Sequence, residues 1–274
     1  MNINLWQKWF PHKISVEEWI PRLTAYYVQN SRYHAMTAGG DKTTHPHARL
    51  LLALIRAGDF YAEVGCGGGA VLQKVAQCAR VVGMDLSYLA LNQSQQNLAK
   101  AIPLICAKGN SIPFRDDIFD GVYSFEVLEH VPDPLKVVQE MIRIVKPGGF
   151  VFLSFPHRFS LDLHLNKKLS VRMIEWLLAG ARFCLEYRQS QSFRSVMPDL
   201  ADPPYPDCDM ISAVNPFGMC KAIQEAGCRL DFCDSTYMCA HREGAHLPLS
   251  FQRNTIRPFV RHFGDHYLIM AHKI

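Results

Sequence analysis

No stretch of this chain approaches 18 uncharged apolar residues, so no membrane-spanning helix is expected. No basic run is longer than Lys167-Lys168, and the net charge is only +4. A nucleic-acid partner usually leaves a denser basic stripe, so none is expected. Arg253, Arg257 and Arg261 recur every four residues, but Pro258 interrupts that helix, and a solvated face is the plainer reading. The nine cysteines contain no C-x-x-C pair. An odd, scattered set reads as reduced thiols in a cytoplasmic protein rather than a disulfide framework. The start, Met1 to Pro11, lacks the apolar core of a secretory signal. Internal repeats and low-complexity tracts are also lacking. What is present is a globular composition, 49% apolar and 20% charged over 274 residues. That suffices for one large α/β domain with elaborations, or for two small ones.

The first 42 residues are rich in aromatics, among them Trp6, Trp9, Trp19, Tyr26, Tyr27 and Tyr33. Val16, Trp19, Ile20, Leu23 and Tyr27 fall near helical spacing and predict a helix, packed on the core or lying as a lid over a ligand. Ala48, Leu51, Leu52, Leu54 and Ile55 predict a second helix over 46–56. Strands and helices then alternate. Apolar runs at 60–64, 80–84, 103–107, 119–125 and 150–155 read as strands; 70–78, 88–101 and 134–145 read as helices. Ser87 is a plausible cap for the 88–101 helix, and Lys146-Pro147-Gly148-Gly149 a stop for the 134–145 helix. This alternation predicts a doubly wound, parallel α/β sheet. After Pro156 it lapses through 157–214, returns as a helix over 215–227 and a strand over 229–235, lapses again over 236–264, and closes on a strand at 266–271. Loops this long are usually functional lids, and both should emerge near the carboxyl edge of the sheet, where ligands bind.

Between the first strand and its helix lies Tyr61-Ala62-Glu63-Val64-Gly65-Cys66-Gly67-Gly68-Gly69-Ala70. Glycines there let a ligand lie against the backbone at a helix start. Taken alone the stretch is ambiguous. Gly65, Gly67 and Ala70 fit the dinucleotide-binding fingerprint, with Asp85 about 20 residues on. The same residues fit a nucleoside site that holds no pyrophosphate.

Further elements follow in order: Glu63 ahead of the glycines, Asp85 after the second strand, Gly109-Asn110-Ser111-Ile112-Pro113-Phe114, then Phe119-Asp120. Ser124-Phe125-Glu126-Val127-Leu128-Glu129-His130-Val131-Pro132-Asp133-Pro134 comes next, and Val145-Lys146-Pro147-Gly148-Gly149 after it. Together these resemble the class I S-adenosylmethionine (SAM)-dependent methyltransferases, within the small-molecule group that includes the ubiquinone-pathway enzymes. The likeness covers residues 45–156 well and 215–274 loosely. It implies a Rossmann-like, seven-stranded, mostly parallel sheet with an antiparallel last strand and helices on both faces. Residues 43–156 and 215–274 would form that SAM-binding domain, 1–42 an aromatic helical lid, and 157–214 and 236–264 inserted substrate caps. The cofactor implied is SAM, with S-adenosylhomocysteine (SAH) as product. Asp85 would accept the ribose hydroxyls through charge-assisted hydrogen bonds. Glu63, with Gly65, Cys66 and Gly67, would serve the ammonium or the glycine turn. Asn110 would face the adenine amine, the backbone near Ser111 and Ile112 would meet the ring, and Met84, Leu86 and Ile112 would flank it. Phe125 and Glu126 would line the methionine end.

Methyl transfer from a sulfonium is an in-line displacement that needs positioning in a dry site, and a base only where the acceptor must lose a proton. The resemblance places His130 and His157 as the catalytic candidates. Glu126, Glu129 and His130 would share one face if they lay on a helix. The resembling trio accompanies a divalent metal in some ubiquinone-pathway enzymes and none in other family members, so no metal site is expected. The aromatic content of the cap segments, including Phe159, Trp176, Phe193, Tyr205 and Tyr237, predicts a small apolar or aromatic methyl acceptor. The rivals are a nicotinamide-dependent dehydrogenase and a SAM-binding sensor without catalysis.

Overall fold

The computed structural model describes residues 21–22, 25–26, 46–99, 101–156, 191–196, 198, 209–235 and 266–274. The aromatic residues read as a lid fall outside these apart from Tyr26, as does most of both cap segments, including His157.

A seven-stranded sheet occupies the centre. Its strands are β1 (Phe60–Val64), β2 (Arg80–Asp85), β3 (Leu104–Cys106), β4 (Phe119–Phe125), β5 (Val145–Pro156), β8 (Cys228–Ser235) and β9 (His266–Lys273). Their order is β3-β2-β1-β4-β5-β9-β8. All pairs up to β4 with β5 are parallel, and β9 runs antiparallel to both β5 and β8. The central strands are buried along nearly their whole length, which is why Phe150 to Phe155 is apolar at every position but Ser154.

Helices cover both faces. On one, α4 (Pro134–Ile144) and α5 (Pro216–Glu225) pack Val138, Met141, Met219 and Ile223 against Val64, Val122 and Leu153. On the other, α1 (Pro46–Leu54), α2 (Ala70–Cys78) and α3 (Tyr88–Asn97) bring Leu51, Leu72, Val75 and Leu91 to Tyr61, Tyr123 and Phe152. The starts follow local chemistry. Ser87 accepts from the Ala90 amide at 3.3 Å, Asp133 caps α4 ahead of Pro134, and Asn215 caps α5 ahead of Pro216.

Helix α3 stops at Asn97, short of the expected 101. Helix α4 ends at Ile144, within one residue of the expected end, but Val145 is already extended and paired with Phe119, so β5 starts there rather than at Phe150. Its last carbonyls find other donors: the amides of Asp117 and Ile118 reach Arg143 and Ile144, and Lys273 Nζ reaches Ile142, Arg143 and Val145. A two-stranded antiparallel sheet, β6 (Phe193–Ser195) with β7 (Ser212–Val214), also stands where the sequence showed only an irregular cap.

Candidate functional site

The carboxyl ends of β1 and β2 hold the glycine turn. The amides of Gly65 and Cys66 both donate to the Met84 carbonyl, at 2.8 and 2.9 Å. The Gly69 amide donates to Cys66 O, and the Gly67 amide to Asp85 Oδ2, each at 2.9 Å. The other Asp85 oxygen accepts from the Ser87 amide at 2.8 Å. The amides of Gly65, Cys66, Gly67 and Gly69 are thus taken up internally, and the Asp85 carboxylate stands beside them as an acceptor group. Gly65, Gly67 and Gly69 have φ of +77°, +49° and +80°, the left-handed region that glycine occupies without penalty. A Cβ at Gly65 would lie 2.1 Å from Val127 Cγ2, and one at Gly69 2.3 Å from Ser94 Oγ. A Cβ at Gly67 would meet nothing within 4 Å. Space therefore opens over Gly67, beside Asp85, and the carboxylate acceptor fits a ligand bearing a diol, such as a ribose.

Glu63 lies under this turn, 4% exposed, and accepts from Tyr123 Oη at 3.2 Å. Burial, then the neighbouring Glu63 carboxylate, holds the Tyr123 phenol well above its usual range. Burial likewise pushes the Cys66 thiol up, with Glu63 and Asp85 adding to the effect. Cys66 is therefore an inert packing thiol rather than a nucleophile. Leu86, Asn110 and Ser111 are exposed, whereas Met84 and Ile112 are buried within the core. The Ile112 loop is held from α4: Glu140 Oε2 accepts from the Ile112 amide at 2.9 Å, and Arg143 donates to the carbonyls of Ile112 and Phe114 at 3.0 and 2.7 Å.

The expected face of Glu126, Glu129 and His130 does not form. Glu126 sits at φ +54°, outside the short 3-10 turn Leu128–His130. Its carboxylate turns to β5 and β9, where Ser154 Oγ donates to Oε1 and His266 Nε2 lies 3.0 Å from Oε2. His130 turns the other way, with Nδ1 3.1 Å from Asp209 and Nε2 3.5 Å from Glu129, both acids almost wholly buried. The Ile211 amide donates to Glu129 O, and Ser212 Oγ to Val131 O, docking β7 on this turn. Among the described residues no group of three or more His, Cys, Asp or Glu side chains is arranged so as to hold a metal ion. No described helix is long and apolar enough to cross a membrane.

Three residues around Glu126 escaped sequence reasoning: His47, Ser154 and His266. Each joins the site from a distant part of the chain, and no local motif marks them.

Residues 62–153 match the family described as Methyltransferase domain. A ubiquinone biosynthesis O-methyltransferase of Thiobacillus denitrificans is 40% identical over 108 residues, covering 37% of this chain and 46% of that protein. The protein of the same name from Chromobacterium violaceum is 38% identical over 107 residues, with the same coverage. The chain thus spans about half the length of the curated relatives it matches. Among solved structures, an S-adenosylmethionine-dependent methyltransferase of Mesorhizobium loti superposes with a TM-score of 0.53 at 16% identity, covering 86% of this chain and 99% of that one. The cyclase SpnF gives 0.54 at 15% identity, covering 90% and 94%. These structural likenesses establish the fold.

Proposed function

We propose that this chain, whose residues 62–153 match the methyltransferase-domain family, transfers a methyl group from SAM to a small molecule and releases SAH. The observation that carries this reading is the Asp85 carboxylate beside a glycine turn in which the amides of Gly65, Cys66, Gly67 and Gly69 are engaged internally. A ribose diol needs such an acceptor in SAM and in a dinucleotide alike, and the family match over residues 62–153 favours SAM.

When bound, SAM supplies a methyl group already activated on a sulfonium. The chain's part is to bind, align and exclude water. In this reading Asp85 accepts the ribose hydroxyls. Asn110 meets the adenine amine, with the backbone at Ser111 and Ile112 and the Leu86 side chain along the ring. Gly65, Cys66 and Gly67 form the floor of the methionine end over Glu63, and Phe125 and Glu126 form its wall. The names of the relatives support a small acceptor methylated on oxygen, and the aromatic content of the cap segments supports an apolar or aromatic one. His157 and His130 are the histidines that the family pattern sets near the acceptor. The ion pairs of His130 to Glu129 and Asp209 support a structural part for it.

Incubation with methyl-labelled SAM and an extract of small metabolites tests the reading. Label should pass to a low-mass product. Label found only in protein or nucleic acid contradicts a small-molecule acceptor. SAM that binds but is never consumed favours the sensor.

A further inference from the structure

At their carboxyl ends β1 and β4 are held together by side chains. The main-chain ladder between them pairs Tyr61 with Gly121, Ala62 with Val122 and Glu63 with Tyr123, and goes no further. Beyond it β1 stays paired with β2 as far as Val64 with Met84, and β4 with β5 as far as Phe125 with Ser154. The strand order reverses between β1 and β4, and open α/β sheets bind their ligands in the crevice at such a point. A Cβ at Gly65 would lie 2.1 Å from Val127 Cγ2, so the glycine turn closes down on the segment that follows β4 and keeps this crevice narrow.

Two hydrogen bonds from β4 cross it. Ser124 Oγ donates to the Val64 carbonyl at 2.9 Å, and Tyr123 Oη donates to Glu63 Oε2 at 3.2 Å. Glu63 and Tyr123 stand opposite one another in the ladder, so both side chains leave the sheet on one face, where the Tyr123 ring joins Cys66 of the turn and Val71 and Leu72 of α2. The Tyr123 ring is wholly buried, and the Phe125 ring packs 5.9 Å from it. Its position is therefore set by packing. Burial and the Glu63 carboxylate keep the phenol protonated, so it stays a donor. A neutral phenol orients a carboxylate without cancelling its charge, and the acceptor it holds suits a cationic group.

We propose that Tyr123 is a positioning residue for the cofactor: its hydrogen bond aims the Glu63 carboxylate at the ammonium group of the amino-acid end. This rests on the methyl-transfer reading above. Tyr123 makes no contact with the cofactor itself and acts through Glu63. It is the residue by which the site tells a nucleoside thioether that carries the amine from one that lacks it. In the sequence it reads only as one more aromatic residue of β4.

Calorimetric titration of the full chain with SAH and with deamino-SAH, the same molecule with hydrogen in place of the amino group, tests this. The wild-type protein should bind SAH at least about tenfold more tightly than the deamino compound. Tyr123→Phe removes the donor and keeps the ring. It should weaken SAH binding about tenfold and leave deamino-SAH within about twofold. In a Glu63→Gln background the same change should bring no further loss of the preference, because the two residues act as one unit. Thermal unfolding checks the fold, and Tyr123→Met, which fills the space without a donor, carries the test if Tyr123→Phe does not fold. Equal affinity of the wild-type protein for the two compounds overturns the proposal. So does a Tyr123 variant that keeps the full preference or loses both compounds equally. Failure of both compounds to bind the wild-type protein overturns the methyl-transfer reading instead.

Discussion

A methyl group added at residue 65 and one added at residue 67 should have opposite consequences. At Gly65 the new Cβ lies 2.1 Å from Val127 and the backbone is left-handed. Gly65→Ala should cost about 2–5 kcal/mol of stability, from overpacking and the unfavourable φ together, read as a lowered melting temperature. At Gly67 only the conformational part remains, about 1–2 kcal/mol. Gly67→Ala should fold and yet bind SAH more weakly in calorimetry, because in the proposed site its methyl would stand against the cofactor. Undiminished affinity would place the cofactor elsewhere. Asp85→Ala should weaken SAH binding by about 2–3 kcal/mol through lost charge-assisted hydrogen bonds. These residues were legible because each belongs to a motif only a few positions long. Glu126 stands in such a motif as well, but its surroundings were not legible. Its partners His47, Ser154 and His266 lie 79, 28 and 140 positions away in the chain, and only the closed sheet brings them together.

Helix α4 does more than cover the sheet. Arg143 and Glu140 clasp the loop that presents Ile112, and Arg143 also bonds Asp116 at 2.8 Å. Arg143→Ala should release that loop, lowering both the melting temperature and the further stabilisation that SAH provides. A variant that loses melting temperature but keeps the full SAH shift would separate the clasp from the cofactor site. The Arg143 hydrogen bond holds the Glu140 carboxyl below its ordinary 4.5, against the opposing effect of burial. Burial also opposes ionisation of Asp120, but hydrogen bonds from Lys146 and the Phe60 amide hold it low. A depressed carboxyl contributes stability that is present above its unfolded pKa and lost as pH falls through the lower folded value. Unfolding curves should therefore weaken as pH drops below the ordinary carboxylate range, and Glu140→Gln should flatten part of that slope. The period of α4 was plain in the sequence. Its end was legible to one residue, but the early start of β5 at Val145 was not, because Lys146-Pro147-Gly148-Gly149 has the composition of a helix stop, and the partners of the last carbonyls, Asp117, Ile118 and Lys273, come from elsewhere.

Over the whole molecule, the alternation of strand and helix sufficed to foresee a doubly wound sheet, and the family likeness supplied its seven strands and the antiparallel final one. Strand order needed the structure: β9 inserts between β5 and β8, and that insertion delivers His266 to the site. The β6–β7 ribbon was hidden because three-residue strands carry too little pattern to read. The fold alone does not select a reaction, as its likeness to a cyclase illustrates. In the proposed function the glycine turn and Asp85 form a nucleoside site for SAM rather than a dinucleotide cradle. Calorimetric titration of the full chain with SAH and, separately, with NAD distinguishes the two. Saturable binding of SAH, lost in Asp85→Ala, with no heat from NAD is the predicted result; preferential binding of NAD would contradict it.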